Sequence, residues 1–360
     1  MYIFATDKVL YLDNDGTPKQ LTNFVPQLCV PFYTAGVDSP LPEVLEVNIT
    51  LEDGTERLLT LPMSENLSRD ITKQDARAIE YKRAYSPYVQ QYLIDQLSQS
   101  VQRGIYFPGN GTYHLPDSQC ITVWNGRIAG NSEIDFPYLI APNKQYRIAT
   151  GTENPLSVLV NALLENNAAL VLPVIYALVV SRRDVLTVEQ CPLQGGLYIT
   201  GVQSSGKTTL ARRVFGYAQR TGASGKPAFF LEAVSTEASV RDALSEAPGC
   251  VVVVDDLALS STRSIEIQRR KLGSAVFRLS TNDANSAKKN HDGTTDHRDC
   301  TAGIALTAEF VLDGISELTR SIFVYLDRPL NLTEEVQPAL IGDTLECFAD
   351  WFADNYEHAI

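Results

Sequence analysis

The sequence predicts an α/β protein with a parallel sheet, flanked by helices, over residues 151–330; a β-rich α+β domain over residues 1–150 precedes it and an acidic helical segment over residues 331–360 follows. Three observations carry this reading. Early in the chain, residues 2–12, 44–51 and 57–61 alternate apolar and polar with period two, punctuated by turns at Asp15-Gly16 and Asp53-Gly54. From Asn154 the pattern becomes helical through Val180, after which strands and helices alternate, the sequence form of a parallel sheet. A glycine-rich turn joins an apolar strand at Gly196–Gly201 to a helical pattern at 208–218, and four consecutive valines at 251–254 read as a strand buried on both faces.

Within the first part, one helical stripe interrupts the strands: Tyr85, Tyr88, Val89, Tyr92, Leu93 and Leu97 share a face and read as core. After Arg103, closely spaced glycines and prolines from Gly104 to Pro142 imply short strands and tight turns, placing the domain boundary near Gly151. At 360 residues and 44% apolar composition, each part is long enough for its own core. The longest apolar run, Ala168–Val180, has 13 residues and contains Pro173, well short of the roughly 20 that span a bilayer. It reads as a buried helix, and no membrane partner is expected. The six cysteines show no Cys-x-x-Cys spacing, and the N-terminus has no basic start ahead of an apolar run. A reducing, cytoplasmic setting is expected.

The net charge of −13 argues against a surface coated in phosphate-binding cations. Its distribution is uneven. Residues 331–360 hold seven acidic residues and no Lys or Arg, whereas residues 263–300 hold eight basic residues against five acidic ones, so nucleic-acid contact is expected in the second stretch.

The turn reads Gly201-Val202-Gln203-Ser204-Ser205-Gly206-Lys207-Thr208-Thr209 and matches G-x-x-x-x-G-K-[ST] between strand and helix, the context that gives the pattern meaning. The glycines let backbone N–H groups wrap phosphates, the helix N-terminus adds its positive end, Lys207 neutralises outer phosphate charge, and Thr208 can ligate magnesium. Asp255 and Asp256 end the valine strand, where unpaired carboxylates would be costly. In a nucleotide site Asp255 orients the magnesium shell and Asp256 holds the attacking water. The cofactors expected are therefore ATP and magnesium.

Gly195 to Thr209 resembles the Ser-Ser-x-Gly-Lys-Thr-Thr loop of the domain-of-unknown-function-927 family, bacterial and mobile-element ATPases that join a β-rich N-terminal region to a helicase-like AAA+ core. Arg103-Gly-Ile-Tyr-Phe-Pro108 and Tyr113-His-Leu-Pro-Asp117 resemble that family's N-terminal signature. A second resemblance, to minichromosome-maintenance helicases, rests on Ile315-Ser-Glu-Leu-Thr-Arg320-Ser-Ile-Phe-Val-Tyr-Leu-Asp327-Arg-Pro329. It implies that Arg320 is an arginine finger reaching a neighbour's nucleotide. The AAA+ resemblance also implies a polar sensor at a strand end, for which Thr307 is preferred and Asn282 is the fallback. The family's second acidic residue is usually Glu, and here it is Asp256, so Glu232 and Glu309 are alternative water-positioning groups.

In the helicases resembled, a hairpin tracking single-stranded backbone lies where this chain has the polar insertion 280–299, with Lys288 and Lys289. A solvated loop is the plain alternative. His291, Asp296, His297 and Cys300 cluster nearby but match no zinc spacing, so no metal is expected there. Together these readings imply a ring-forming AAA+ ATPase, hexameric by resemblance, acting as a helicase or single-stranded DNA translocase in replication of a mobile element or phage. The rivals are an ATP-switched oligomeric scaffold that moves no nucleic acid, and a small-molecule P-loop kinase.

Overall fold

The computed structural model describes residues 2–356 except 5–7, 13–14, 65, 82–85, 98–101, 116–118, 133, 143–145, 166–167, 190, 192, 224, 259–261, 282–285, 290–294, 299 and 312–317. The chain forms two compact units, one of Met1–Pro108, Tyr113–Gln119 and Glu133–Ala141, the other of Gly109–Thr112, Cys120–Ser132 and Pro142–Ile360. The single boundary expected near Gly151 is thus replaced by several crossings before Pro142. The reason is packing: Trp124 and Ala129, both fully buried, belong to the core of the second unit.

In the first unit, β1 (Tyr2–Phe4), β2 (Val9–Leu12) and β3 (Pro18–Gln20) form an antiparallel meander. The stretch 2–12 is therefore two strands folded back, with Phe4 opposite Val9, rather than one. The main sheet contains β4 (Phe24–Thr34), β5 (Val44–Leu51) and β6 (Glu56–Pro62), joined antiparallel. Every second residue of β5 is buried, as its period-two pattern demands. Two helices, α1 (Leu67–Gln74) and α2 (Ser86–Leu97), cover it, and Val89 and Leu93 of the aromatic stripe are buried. Strand β7 (Gly104–Phe107) extends the sheet parallel to β4; the chain then runs through β8 (Gly111–His114), β9 (Cys120–Trp124) and β10 (Arg127–Ile128) before β11 (Tyr138–Ile140) adds parallel to β7.

The second unit, which already includes β9 and β10, continues after Pro142 with β12 (Tyr146–Ile148), α3 (Pro155–Glu165), α4 (Ala168–Val180) and α5 (Arg183–Val188). Then follow β13 (Gly196–Gly201), α6 (Lys207–Phe215), β14 (Ala218–Arg220), β15 (Phe230–Glu232), α7 (Glu237–Glu246), β16 (Val251–Leu257) and α8 (Arg263–Thr281). A hairpin of β17 (Ser286–Lys289) and β18 (Thr295–Arg298) precedes β19 (Gly303–Ala308), β20 (Ser321–Leu326) and α9 (Pro338–Asp354). Five strands make one wholly parallel sheet in the order β15-β16-β19-β13-β20. All residues of β13 and β19 are buried, as a parallel sheet covered on both faces requires. The ring of Phe277 on α8 lies so close to Gly196 that any Cβ there would strike it. Helix α6 ends at Gly216, earlier than the pattern suggested, because β14 turns away to pair antiparallel with β12.

The acidic C-terminal helix is tied inward. Asp343 accepts the backbone N–H groups of Gly151 and Thr152 at 2.9 and 2.6 Å, and Arg127 reaches Glu346 at 2.6 Å and both Asp350 oxygens at 2.8 Å. Gly342 lies against the Ala149 carbonyl with no room for a side chain. Gly342→Ala is expected to destabilise the fold by about 1–3 kcal/mol in denaturant titrations. The hydrogen bond from Arg127 holds Asp350 below its usual carboxylate range. A depressed carboxylate stabilises the fold above its unfolded pKa and loses that contribution as pH falls through its folded pKa. Arg127→Ala should therefore lower stability near neutrality, by no more than about 1 kcal/mol for a half-exposed pair, and flatten the acid limb of stability against pH.

Candidate functional site

Strand β13 leaves the sheet through a loop whose conformation the sequence dictates. Gly201 has φ of 149°, and a Cβ there would collide with the Leu326 carbonyl at the end of β20. That carbonyl accepts the Val202 N–H at 3.2 Å, and the Ser205 carbonyl accepts the Leu330 N–H at 3.0 Å, so the residues after β20 run along the loop and brace it. Ser204 at φ 60° and Gly206 at φ 91° are left-handed. Such alternation ahead of a helix shapes a concave row of backbone N–H groups, and α6 begins immediately at Lys207. The Ser205 hydroxyl is buried without a partner among the described residues, and the Lys207 ammonium donates to the carbonyls of Gly201 and Val202 at 3.2 and 2.8 Å. Gln203 and Thr209 are exposed. The donors suit an anion of phosphate type.

Beside the loop, three elements meet on one carboxylate. Asp255, on β16 and 7% exposed, accepts the Thr208 hydroxyl of α6 at 2.9 Å and the Thr307 hydroxyl of β19 at 2.5 Å, both on Oδ1. The Thr307 oxygen also accepts the Asp256 N–H at 3.0 Å. This arrangement needs a bulge: between Val254 opposite Leu306 and Leu257 opposite Ala308, two residues of β16 stand against Thr307. Asp256 takes up the bulge with φ of 64°, which Asp tolerates better than most residues, and its side chain turns out to solvent. Thr208 and Asp255 present oxygens of the kind a magnesium ion takes, and the residues present fit it.

The remaining candidates are distributed unevenly. Glu232 ends β15 in register with Asp255 and lines the same cleft as Thr208, Asp255 and Asp256. Glu309 follows β19, its N–H on the Leu257 carbonyl at 3.1 Å, and does not line that cleft. Arg320 lies elsewhere: its carbonyl accepts the Gly196 N–H at 2.9 Å, at the start of β13, while the phosphate-type loop follows the end of that strand. Lys288 and Lys289 are in the β17–β18 hairpin, opposite Asp296 and Thr295. Asn282 and His291 lie outside the described residues. The cleft also has a cationic wall that sequence reasoning missed, formed by Arg212, Arg220, Lys226 and Arg269. Only Arg212, one turn beyond Thr208 on α6, had a sequence signal that could have found it.

No protein-family model and no curated protein matches this chain. Among solved structures, the chain is similar to that of the active helicase Cch of SCCmec type IV, with a TM-score of 0.56 and 13% identity over 99% of this chain. It spans 65% of the length of that protein. This likeness is one of fold. Two structures of JCV helicase also match, with TM-scores of 0.29 and 0.30, 10% and 14% identity, over 57% and 55% of this chain and 68% and 60% of theirs. These looser likenesses carry no argument below.

The Asp255 junction generates a direct test. Thr307→Val keeps the shape of a buried side chain but leaves the Asp256 N–H and one Asp255 lone pair without their partner. A loss of about 1–3 kcal/mol is expected in denaturant titrations. A loss near zero would mean that water replaces the hydroxyl and that β19 does not fix the carboxylate.

Proposed function

We propose that this chain is an AAA+ ATPase that assembles as a ring and couples ATP hydrolysis to movement along single-stranded DNA. The observation that carries the ATPase reading is the convergence of Thr208, Asp255 and Thr307 beside the left-handed loop. In this reading the loop N–H groups hold the phosphates, Lys207 neutralises their outer charge, and Thr208 and Asp255 hold magnesium. Bound there, magnesium would offset the negative charge that develops on the phosphate oxygens. The water oxygen bonds to the γ-phosphorus as the bond to the bridging oxygen breaks, and a carboxylate takes the water's proton. Two carboxylates that line the cleft are the candidates, Asp256 at the bulge and Glu232 at the end of the adjacent strand β15. On the other side of the loop, a groove of about 710 Å³ lined by Leu172, Phe323, Tyr325 and Pro329 suits the base.

Arg320 supports a ring by its distance from the loop. The sheet separates it from its own loop by the length of β13, roughly 17 Å at about 3.3 Å per residue. An arginine at that end serves a neighbour's phosphates, not its own chain's. The antiparallel hairpin holding Lys288 and Lys289 supports the DNA part, since the resemblance implies a strand-tracking hairpin between α8 and β19. The helicase-like fold shared with Cch supports the same reading. A scaffold would assemble with ATP and ignore DNA, whereas this reading expects hydrolysis stimulated by single-stranded DNA. Replacing Lys288 and Lys289 with Ala should weaken that binding for all sequences alike and flatten its salt dependence.

Lys207→Ala is expected to abolish ATP binding or turnover, and a mutant that binds and hydrolyses normally would sink the nucleotide site. Asp256→Asn and Glu232→Gln separate the two carboxylates. The one that positions water should lose about a hundredfold or more in turnover with binding intact, while the other changes little.

Arg320→Ala is expected to cut turnover with little effect on ATP affinity, because a finger acts on transition-state charge. Mixing Arg320→Ala with Lys207→Ala subunits should restore part of the activity at interfaces where an intact loop meets an intact finger. Mixed rings that form yet stay inactive would assign Arg320 a structural role.

A further inference from the structure

The carboxylate cleft, with a volume of about 790 Å³, is lined by cations as well as carboxylates. Thr208, Asp255, Asp256 and Glu232 line it together with Arg212, Arg220, Lys226 and Arg269, the last held by the Ala258 carbonyl at 2.7 Å. Arg212 lies one helical turn beyond Thr208 on α6, its guanidinium 5.2 Å over the ring of Phe230. Arg220 and Lys226 face each other across the turn after β14, where the Arg220 N–H donates to the Lys226 carbonyl at 2.9 Å. Arg212, Arg220 and Lys226 are all exposed, and none of these three forms an ion pair with a described residue. In a chain of net charge −13, three unpaired cations gathered in one cleft are an electrostatic feature that the phosphate loop, with its own Lys207, does not use.

Resting on the nucleotide reading above, we infer that this cleft is a binding station for inorganic phosphate, which leaves the site past Thr208 and is held by Arg212, Arg220 and Lys226. The physics favours this ligand. An orthophosphate dianion freed beside Asp255, Asp256 and Glu232 is repelled by these carboxylates, and beyond Lys207 and the magnesium proposed above the same cleft offers three further cations to which it can pass. Charge-assisted hydrogen bonds from guanidinium and ammonium groups suit a compact multidentate oxyanion. A nucleic-acid backbone fits less well: its track needs stacking faces, and Arg212 covers the one that Phe230 would offer. Arg212, stacked on Phe230 one turn from Thr208, receives the anion first; Arg220 and Lys226 pass it to solvent.

The test uses the full chain saturated with ADP, so that the loop is filled, and titrates it with inorganic phosphate by calorimetry. The double variant Arg220→Ala, Lys226→Ala removes only exposed side chains outside the hydrolytic machinery. Its phosphate affinity is expected to fall about tenfold or more, and inhibition of ATP hydrolysis by added phosphate to weaken in proportion, with ADP affinity unchanged. Equal phosphate affinity in parent and variant overturns the inference and leaves the ATPase reading standing. So does phosphate that competes with ADP instead of adding to it, because it then occupies the loop. A variant that loses assembly at unchanged phosphate affinity overturns it too, assigning the cations to a neighbour's acidic surface. A parent that binds no ADP fails at the earlier step and removes both readings together.

Discussion

One buried carboxylate organises the second unit. A charge at the end of a parallel strand is costly unless hydrogen bonds replace its hydration, and Asp255 receives two of them from separate elements. Thr208 ties it to the helix that starts at the loop, and Thr307 ties it to the neighbouring strand. Because Thr307 also holds the Asp256 N–H, the same hydroxyl fixes the bulge that turns Asp256 outward. Moving any of these elements would leave a buried polar group unpaired, so the loop, the bulge and the sheet edge are set together.

The sheet then separates the chemistry spatially. Loop, bulge and cleft gather at the ends toward which the parallel strands run, where helix N-termini and strand ends place polar groups over a dry core. Arg320 stands at the starting end. In a single copy the two ends cannot cooperate, and this geometric fact makes assembly part of the proposed mechanism. The bracing of the loop by Leu326 and Leu330 further couples β20, the strand that Arg320 opens, to the loop that it is proposed to serve in the next subunit.

The acidic C-terminal helix shows how misleading net charge is as a guide to surface role. Its carboxylates are spaced along one face and satisfied by backbone N–H groups and Arg127, so much of that negative charge is structural. The cleft, by contrast, gathers Arg212, Arg220, Lys226 and Arg269 beside its carboxylates.

The sequence by itself determined the local geometry. The glycine-rich loop between strand and helix and the valine strand ending in two aspartates are legible because they depend on neighbours a few residues away. Strands β5 and β6 were legible for the same reason, through a period-two pattern read within one segment. The tertiary structure alone decided what depends on pairing across the chain. Whether residues 2–12 fold back, where the units divide, and that Thr307 reaches a carboxylate 52 positions away all follow from strand order and core packing. The bulge at Asp255 and Asp256 and the cationic wall of Arg212, Arg220 and Lys226 belong to this class as well. No periodicity encodes them, because the free energy that selects them comes from a sheet register and a turn that exist only once the chain has folded.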